Sequence, residues 1–124
     1  MRLALLLVFV AALPAAAEET KDNYAGVGYS TKTGEYWMAW GMPSKEECEK
    51  ELGKRSPDKD LLTIVVVKNC YMALVRSKDG RTFGVGEDET PSGAEQKARA
   101  AARKKTSKKV ETVIVMHAGQ GVGG

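Results

Sequence analysis

Two stretches of the chain carry the same succession of apolar and polar positions. Tyr24 to Cys70 and Tyr71 to Gly119 lie over each other with shifts of 45 to 49 residues, a spacing that marks a copied supersecondary unit. Tyr24-Ala25-Gly26-Val27-Gly28-Tyr29-Ser30 matches Tyr71-Met72-Ala73-Leu74-Val75-Arg76-Ser77, and the turn glycines Gly34 and Gly80 follow. Gly41 then matches Gly86, Pro43 to Glu47 matches Pro91 to Glu95, and Ile64-Val65-Val66-Val67 matches Val113-Ile114-Val115-Met116. The period changes from two to 3.6 and back within each stretch, which predicts strand, strand, helix, strand twice.

Lys78-Asp79-Gly80 is a hairpin turn and Thr31-Lys32-Thr33-Gly34 its longer counterpart, since glycine accepts the positive φ that such turns use. Both helices are predicted to open on an S-x-x-E capping box, Ser44 with Glu47 and Ser92 with Glu95. On the second helix Ala94, Ala98, Ala101 and Ala102 fall within an arc of about 100°, a face fit for close packing on a sheet. Leu61 to Val67 and Val110 to Met116 are apolar runs with little alternation, which predicts central strands buried on both sides.

In the hairpins, alternation puts Ala25, Val27, Met38 and Trp40 on one face, equivalent to Met72, Leu74, Phe83 and Val85, and this is the expected core face. The other face holds Tyr24, Gly26, Gly28, Trp37, Ala39 and Gly41 in one stretch and Tyr71, Ala73, Val75, Thr82, Gly84 and Gly86 in the other. Small residues let a second backbone come close. The two copies are therefore expected to meet across these glycines about a pseudo-twofold axis. The expected fold class is α+β: two tandem β-β-α-β repeats, 24–70 and 71–118, forming one domain of antiparallel or mixed sheet with two helices. Residues 18–23 read as a linker and 119–124 as a flexible tail.

The beginning of the chain changes the compartment. Met1-Arg2 supplies a positive charge, Leu3 to Leu13 is apolar without interruption, and Pro14-Ala15-Ala16-Ala17 ends in small residues at an A-x-A position. This is the pattern of a signal peptide over residues 1–17, cleaved after Ala17. An apolar run of eleven is short of the roughly 20 helical residues that span a bilayer, and no longer run follows, so no transmembrane segment is expected after cleavage. No cysteine stands at the cleavage point to take a lipid. The expected product is secreted or periplasmic and about 107 residues long, room for one small domain.

Composition adds bounds. With 43% hydrophobic and 28% charged residues the chain falls among globular proteins. The 19 Lys and Arg, less Arg2, against 16 Asp and Glu leave a net charge of +2, too little to steer partners over a distance. Cys48 and Cys70 are the two cysteines. An even count in a small exported domain points to one disulfide, whose closure would stabilise the fold by roughly 3 kcal/mol. Two thiols and one distant histidine do not make a zinc spacing, and neither a metal nor a cofactor is expected.

The export signal, the Tyr24 to Ser30 opening, Asn69-Cys70-Tyr71-Met72-Ala73-Leu74 and Asp79-Gly80 together make the chain resemble a bacterial family catalogued as domain of unknown function 4189. The resemblance covers residues 24 to 118. It implies a secreted or periplasmic protein with a duplicated sheet-and-helix unit, often cross-linked by disulfides. Family members commonly carry further cysteines in both halves; here the second half, from Tyr71 on, has none.

Few constellations carry chemistry. The single histidine, His117, beside a Cys48 or Cys70 thiolate would form a nucleophile and base pair, but a disulfide would leave no thiolate. There is no G-x-S-x-G elbow and no phosphate loop. Glu87-Asp88-Glu89 lacks the spaced order that wraps calcium and reads as solvated loop. Seven cations between Lys97 and Lys109 make the end of the second helix basic. They suit the helix dipole or an anionic partner, while the lack of interleaved aromatics argues against nucleic acid.

The parity of Trp37 puts it with Tyr24 on the glycine-rich face, where it packs between the copies or offers an exposed stacking platform. These features favour a non-catalytic exported module that binds a protein or a cell-envelope component through Tyr24, Trp37, Arg103, Lys104 and Lys105. A small secreted hydrolase, or an inhibitor of an enzyme, is the alternative.

Overall fold

Among the described residues, seven strands and two helices follow one another as β1 (Tyr24–Ser30), β2 (Tyr36–Met42), α1 (Lys45–Arg55), β3 (Leu62–Lys68), β4 (Tyr71–Ser77), β5 (Phe83–Asp88), α2 (Pro91–Arg103), β6 (Val110–His117) and β7 (Gly121–Val122). This computed structural model describes residues 22–55 and 62–122. The signal peptide assigned to residues 1–17, and the linker as far as residue 21, lie outside the described residues. The fold class is α+β, with two antiparallel sheets ordered β2-β1-β3 and β5-β4-β6-β7.

The first strand of each hairpin takes the middle place. β1 pairs with both β2 and β3, and β4 with both β5 and β6. The apolar run of β3 was expected at the centre, yet β3 is an edge strand. Its residues are apolar in succession because Val65 and Val67 face the other sheet while Ile64 and Val66 face α1. β6 is interior because β7 pairs beyond it, Met116 opposite Val122 and His117 opposite Gly121. Gly121 and Val122, expected in a flexible tail, thus form a strand.

The layers run α1, sheet one, sheet two, α2. Ala25, Val27 and Tyr29 of sheet one meet Met72, Leu74, Phe83 and Met116 of sheet two in the central core. The two sheets therefore face each other through the large apolar residues. The expectation that they meet across the glycines is corrected: each glycine face seats its own helix. A Cβ on Gly26 would stand 3.0 Å from Cys48 Sγ and from Leu52 Cδ1 of α1, and one on Gly84 would stand 2.5 Å from Ala102 N and Ala98 O of α2. Ala94, Ala98 and Ala102 are fully buried there against Ala73 and Val75. Only bare backbone beneath a strip of alanines allows so short a helix-to-sheet distance.

The helix caps follow local chemistry. Ser44 Oγ accepts from Glu47 N at 3.1 Å, and Glu46 and Glu47 in the first turn with Lys54 and Arg55 in the last complement the dipole of α1. On α2 the cap is Thr90, whose Oγ1 accepts from Gly93 N at 3.1 Å, and not Ser92. Pro91 takes the first helical position, where its missing N–H costs nothing, and this moves the start of α2 ahead of the second S-x-x-E box. Glu95 is left free to accept from Thr112 Oγ1 and to pair with Arg99 at 3.5 Å.

At the turn end the sheets are fastened by polar contacts. Tyr29 Oη donates to Gly80 O at 2.7 Å and Arg76 Nη1 to Gly34 O at 2.8 Å. The Tyr29 and Phe83 rings stack with centroids 4.4 Å apart.

Candidate functional site

Trp37 lies on the face that its parity predicts and Trp40 does not. Trp37 packs with Tyr24, Ile64 and Val66 around Cys48 and Leu52, half-buried between sheet one and α1. Trp40, expected in the core, is 45% exposed. The cause is local. The β1–β2 register shifts between Tyr24 and Gly26, where Gly41 takes φ 68°, so β2 carries an extra residue and bends outward. Gly41 N then donates at 2.7 Å to the carbonyl of Ala118, in the turn between β6 and β7. The bend lays the indole of Trp40 over Gly121, whose position a Cβ would make impossible. One face of the ring is thereby fixed against β7.

Beside this indole lies a cleft of about 280 Å³ lined by Met38, Ala39, Trp40, Met42, Glu51 and Arg55. It runs along β2, an edge strand of sheet one. Arg55 reaches across from the last turn of α1, donating to the Met38 carbonyl at 3.3 Å and pairing with Glu51 at 3.3 Å. That carbonyl points away from β1, toward the cleft. Pro43, Gly41, Asn23 and Asp22 border a second cleft of about 430 Å³ at the same end of β2.

The residues singled out in the sequence do not form one surface. Tyr24 and Trp37 belong to the α1 layer, with the Lys68 ammonium 5.8 Å from the Tyr24 ring centre. Arg103, Lys104 and Lys105 end α2 on the opposite outer layer, where Lys105 Nζ donates to Phe83 O at 3.1 Å. Several of the other cations near α2 have partners: Lys97 pairs with Asp88 at 2.9 Å and Lys108 with Asp79 at 2.7 Å at the surface, and Arg99 donates to Thr112 at 2.8 Å.

The expected disulfide is corrected. Both thiols are free. Cys48 is buried beneath α1, whereas Cys70 packs against the core between the sheets, so sheet one separates them. Burial pushes the Cys48 thiol up to about 11, with Glu49 adding to the shift. Burial also raises Cys70, seconded by Glu87. Both shifts run against the lowered value a nucleophilic thiolate needs. His117 sits on β6 in sheet two, its ring edge-on to Tyr71 at 4.8 Å and its Nδ1 accepting from Gly119 N at 3.0 Å.

In the acidic loop, Asp88 Oδ2 accepts from Thr90 N and Thr90 Oγ1, an anchor for the cap of α2. Among the described residues no three His, Cys, Asp or Glu side chains converge as a metal site. Nor is any helix there long and apolar enough to cross a membrane.

The profile described as Domain of unknown function (DUF4189) matches residues 24–117. The chain belongs to this family. The match begins at the first residue of β1 and ends at the last of β6, so both helices and every described strand except β7 fall within it. No curated protein matches the chain, and no solved structure does.

Sequence reasoning missed Trp40, Met38 and Arg55. The one available signal was Gly41, a glycine near the end of a strand, which marks a bulge as readily as close packing.

Proposed function

We propose that the chain is an exported, non-catalytic binding module that holds an extended peptide segment of a partner protein, one exposed on the cell envelope or outside it, in the cleft beside Trp40. The observation that carries this reading is the half-exposed indole seated on Gly121 at the rim of a cleft along an edge strand. An aromatic ring fixed on one face and open on the other gives large contact area at little entropic cost. Met38 and Met42 supply adaptable apolar surface for side chains of varied shape. The outward carbonyl of Met38 and the Arg55–Glu51 pair offer backbone and charged partners to a chain lying parallel to the strand.

Export rests on the pattern of residues 1–17. We also infer that the two β-β-α-β halves descend from one copied unit related by a pseudo-twofold. The sequence match between them, the same element order and the central place of β1 and β4 support this.

Selection of a displayed peptide library on the full chain tests the binding reading. Retained peptides should lose about 30-fold in affinity for Trp40→Ala, as for an aromatic anchor contributing about 2 kcal/mol, and keep their affinity for Trp37→Phe. Peptides that bind both variants equally, or a cleft that takes only saccharides, would overturn it.

A further inference from the structure

The fold brings two basic segments together that are far apart in sequence. α2 lies over β5 with its last turn toward the β4–β5 turn, as the approach of Ala102 to Gly84 and the Lys105 bond to the Phe83 carbonyl require. β6 starts at the same end, with Val110 opposite Ser77. The connection from α2 to β6 therefore lies against the β4–β5 turn, and Lys108 Nζ reaches Asp79 across the junction at 2.7 Å.

From the turn come Lys78 and Arg81; from the helix end and its connection come Arg103, Lys104, Lys108 and Lys109, all exposed. Two carboxylates stand among these six cations. One is Asp79, which the Lys108 ammonium, the Ser77 hydroxyl and the Arg81 amide hold well below the usual carboxylate range. The other is Glu111, at the start of β6 opposite Arg76. With Lys105, whose ammonium keeps its charge while bonded to the Phe83 carbonyl, the described residues of the turn, the helix end and its connection hold seven cations against these two carboxylates.

We propose that this end is a docking surface for a bilayer carrying anionic phospholipid. Its shape and composition point to a plane of charge rather than to a threaded polymer. It is built from a tight turn and a helix end, and the two described clefts, beside β2 and near Pro43, lie elsewhere. Phe83, the aromatic ring of sheet two at this end, is buried, and Tyr36 of sheet one is half-buried with the Arg76 guanidinium 5.8 Å from its ring centre. Four of the six cations are lysines, point charges on long stems that suit diffuse attraction to a charged surface. The surface is separate from the Trp40 cleft and stands without the peptide reading.

Co-sedimentation of the full chain with vesicles tests it. One set contains phosphatidylcholine with about a third phosphatidylglycerol, the other phosphatidylcholine alone. The neutral set measures any contribution of the apolar run Leu3 to Leu13. Binding to the anionic set should exceed binding to the neutral set and fall steeply between low salt and physiological salt.

Neutralising either segment, by Lys78→Gln with Arg81→Gln or by Lys104→Gln with Lys109→Gln, should each lower the anionic partition by roughly 25-fold, about fivefold per cation. These residues are exposed, and unchanged thermal unfolding would show that the variants still fold. Trp40→Ala should leave the partition as it is.

Three results would overturn the proposal. Equal binding to both vesicle sets is the first. The second is a turn pair whose neutralisation changes nothing. The third is tighter binding to duplex DNA than to the anionic vesicles at the same salt.

Discussion

The Tyr29 hydroxyl of sheet one donates to the Gly80 carbonyl in the turn of sheet two, 2.7 Å away. This buried bond joins the two sheets where their turns touch: a Cβ on Gly80 would stand 3.1 Å from Gly34 Cα. Tyr29→Phe keeps the ring stacked on Phe83 but leaves the Gly80 carbonyl without its donor. The expected loss is about 1 to 3 kcal/mol, the cost of an unpaired buried acceptor rather than of an exchanged one. Urea unfolding with an unchanged m-value would show it, and a midpoint equal to that of wild type would mean that water replaces the hydroxyl.

The glycine seats of the helices predict a contrast between two substitutions of the same chemistry. In Gly86→Ala the new methyl would run into the Ala94 carbonyl and the Ala98 amide of α2, and backbone cannot step aside as a side chain can. A loss of at least about 2 kcal/mol is expected. Gly53→Ala, within α1, meets nothing within 4 Å. It should stabilise by about 0.5 to 1 kcal/mol through helix propensity. Thermal unfolding of both should shift in opposite directions; shifts of the same sign would contradict the layer order.

The turns, the cap of α1 and, apart from Trp40, the membership of the core face were legible along the chain; the cap of α2 and the neighbour that each face meets were not. Gly34 and Gly80 stand at positive φ in their turns, Ser44 caps α1, and the alanine strip of α2 is buried, because each depends on neighbours a few residues away. Period-two alternation separates two faces of a strand, but it does not say which meets a helix and which a second sheet. Gly26, Gly84 and Gly86 would suit either neighbour, and the choice falls to α1 and α2 because these follow their own hairpins closely. The family was legible in short motifs. Trp40 was misplaced because the bulge at Gly41 breaks the alternation that predicted it. β7, at two residues, is too short to show any period.

The separation of the cysteines by sheet one has a direct chemical consequence. The unfolded, unreduced chain should release two thiols to a disulfide reagent. In the folded protein Cys48, fully buried with its thiol pushed up to about 11, should react only as fast as α1 opens. Cys70, which is partly exposed, should react first. Counting thiols before and after denaturant checks this. A count of zero in the unfolded chain would mean that the sulfurs are bonded to each other and that the layers differ from those described.

Asp88 is one of the carboxylates that tie the stability of the second half to acid pH. Its carboxylate is held down to about 2, first by Lys97 and then by the Thr90 amide and hydroxyl, from an ordinary value of 3.8. A carboxyl lowered in the folded state binds fewer protons there than in the unfolded chain, so its contribution is complete above about 4 and is lost as pH falls toward 2. Asp88→Asn removes that titration while leaving an oxygen for the Thr90 amide. The variant should be less stable than wild type at pH 7 and should show a shallower decline between pH 4 and 2, the two curves converging at the acid end. Urea midpoints measured across this range test the sign. Parallel curves would show that the Lys97 and Thr90 contacts do not depend on the charge of Asp88, and the cap of α2 would then rest on Thr90 Oγ1.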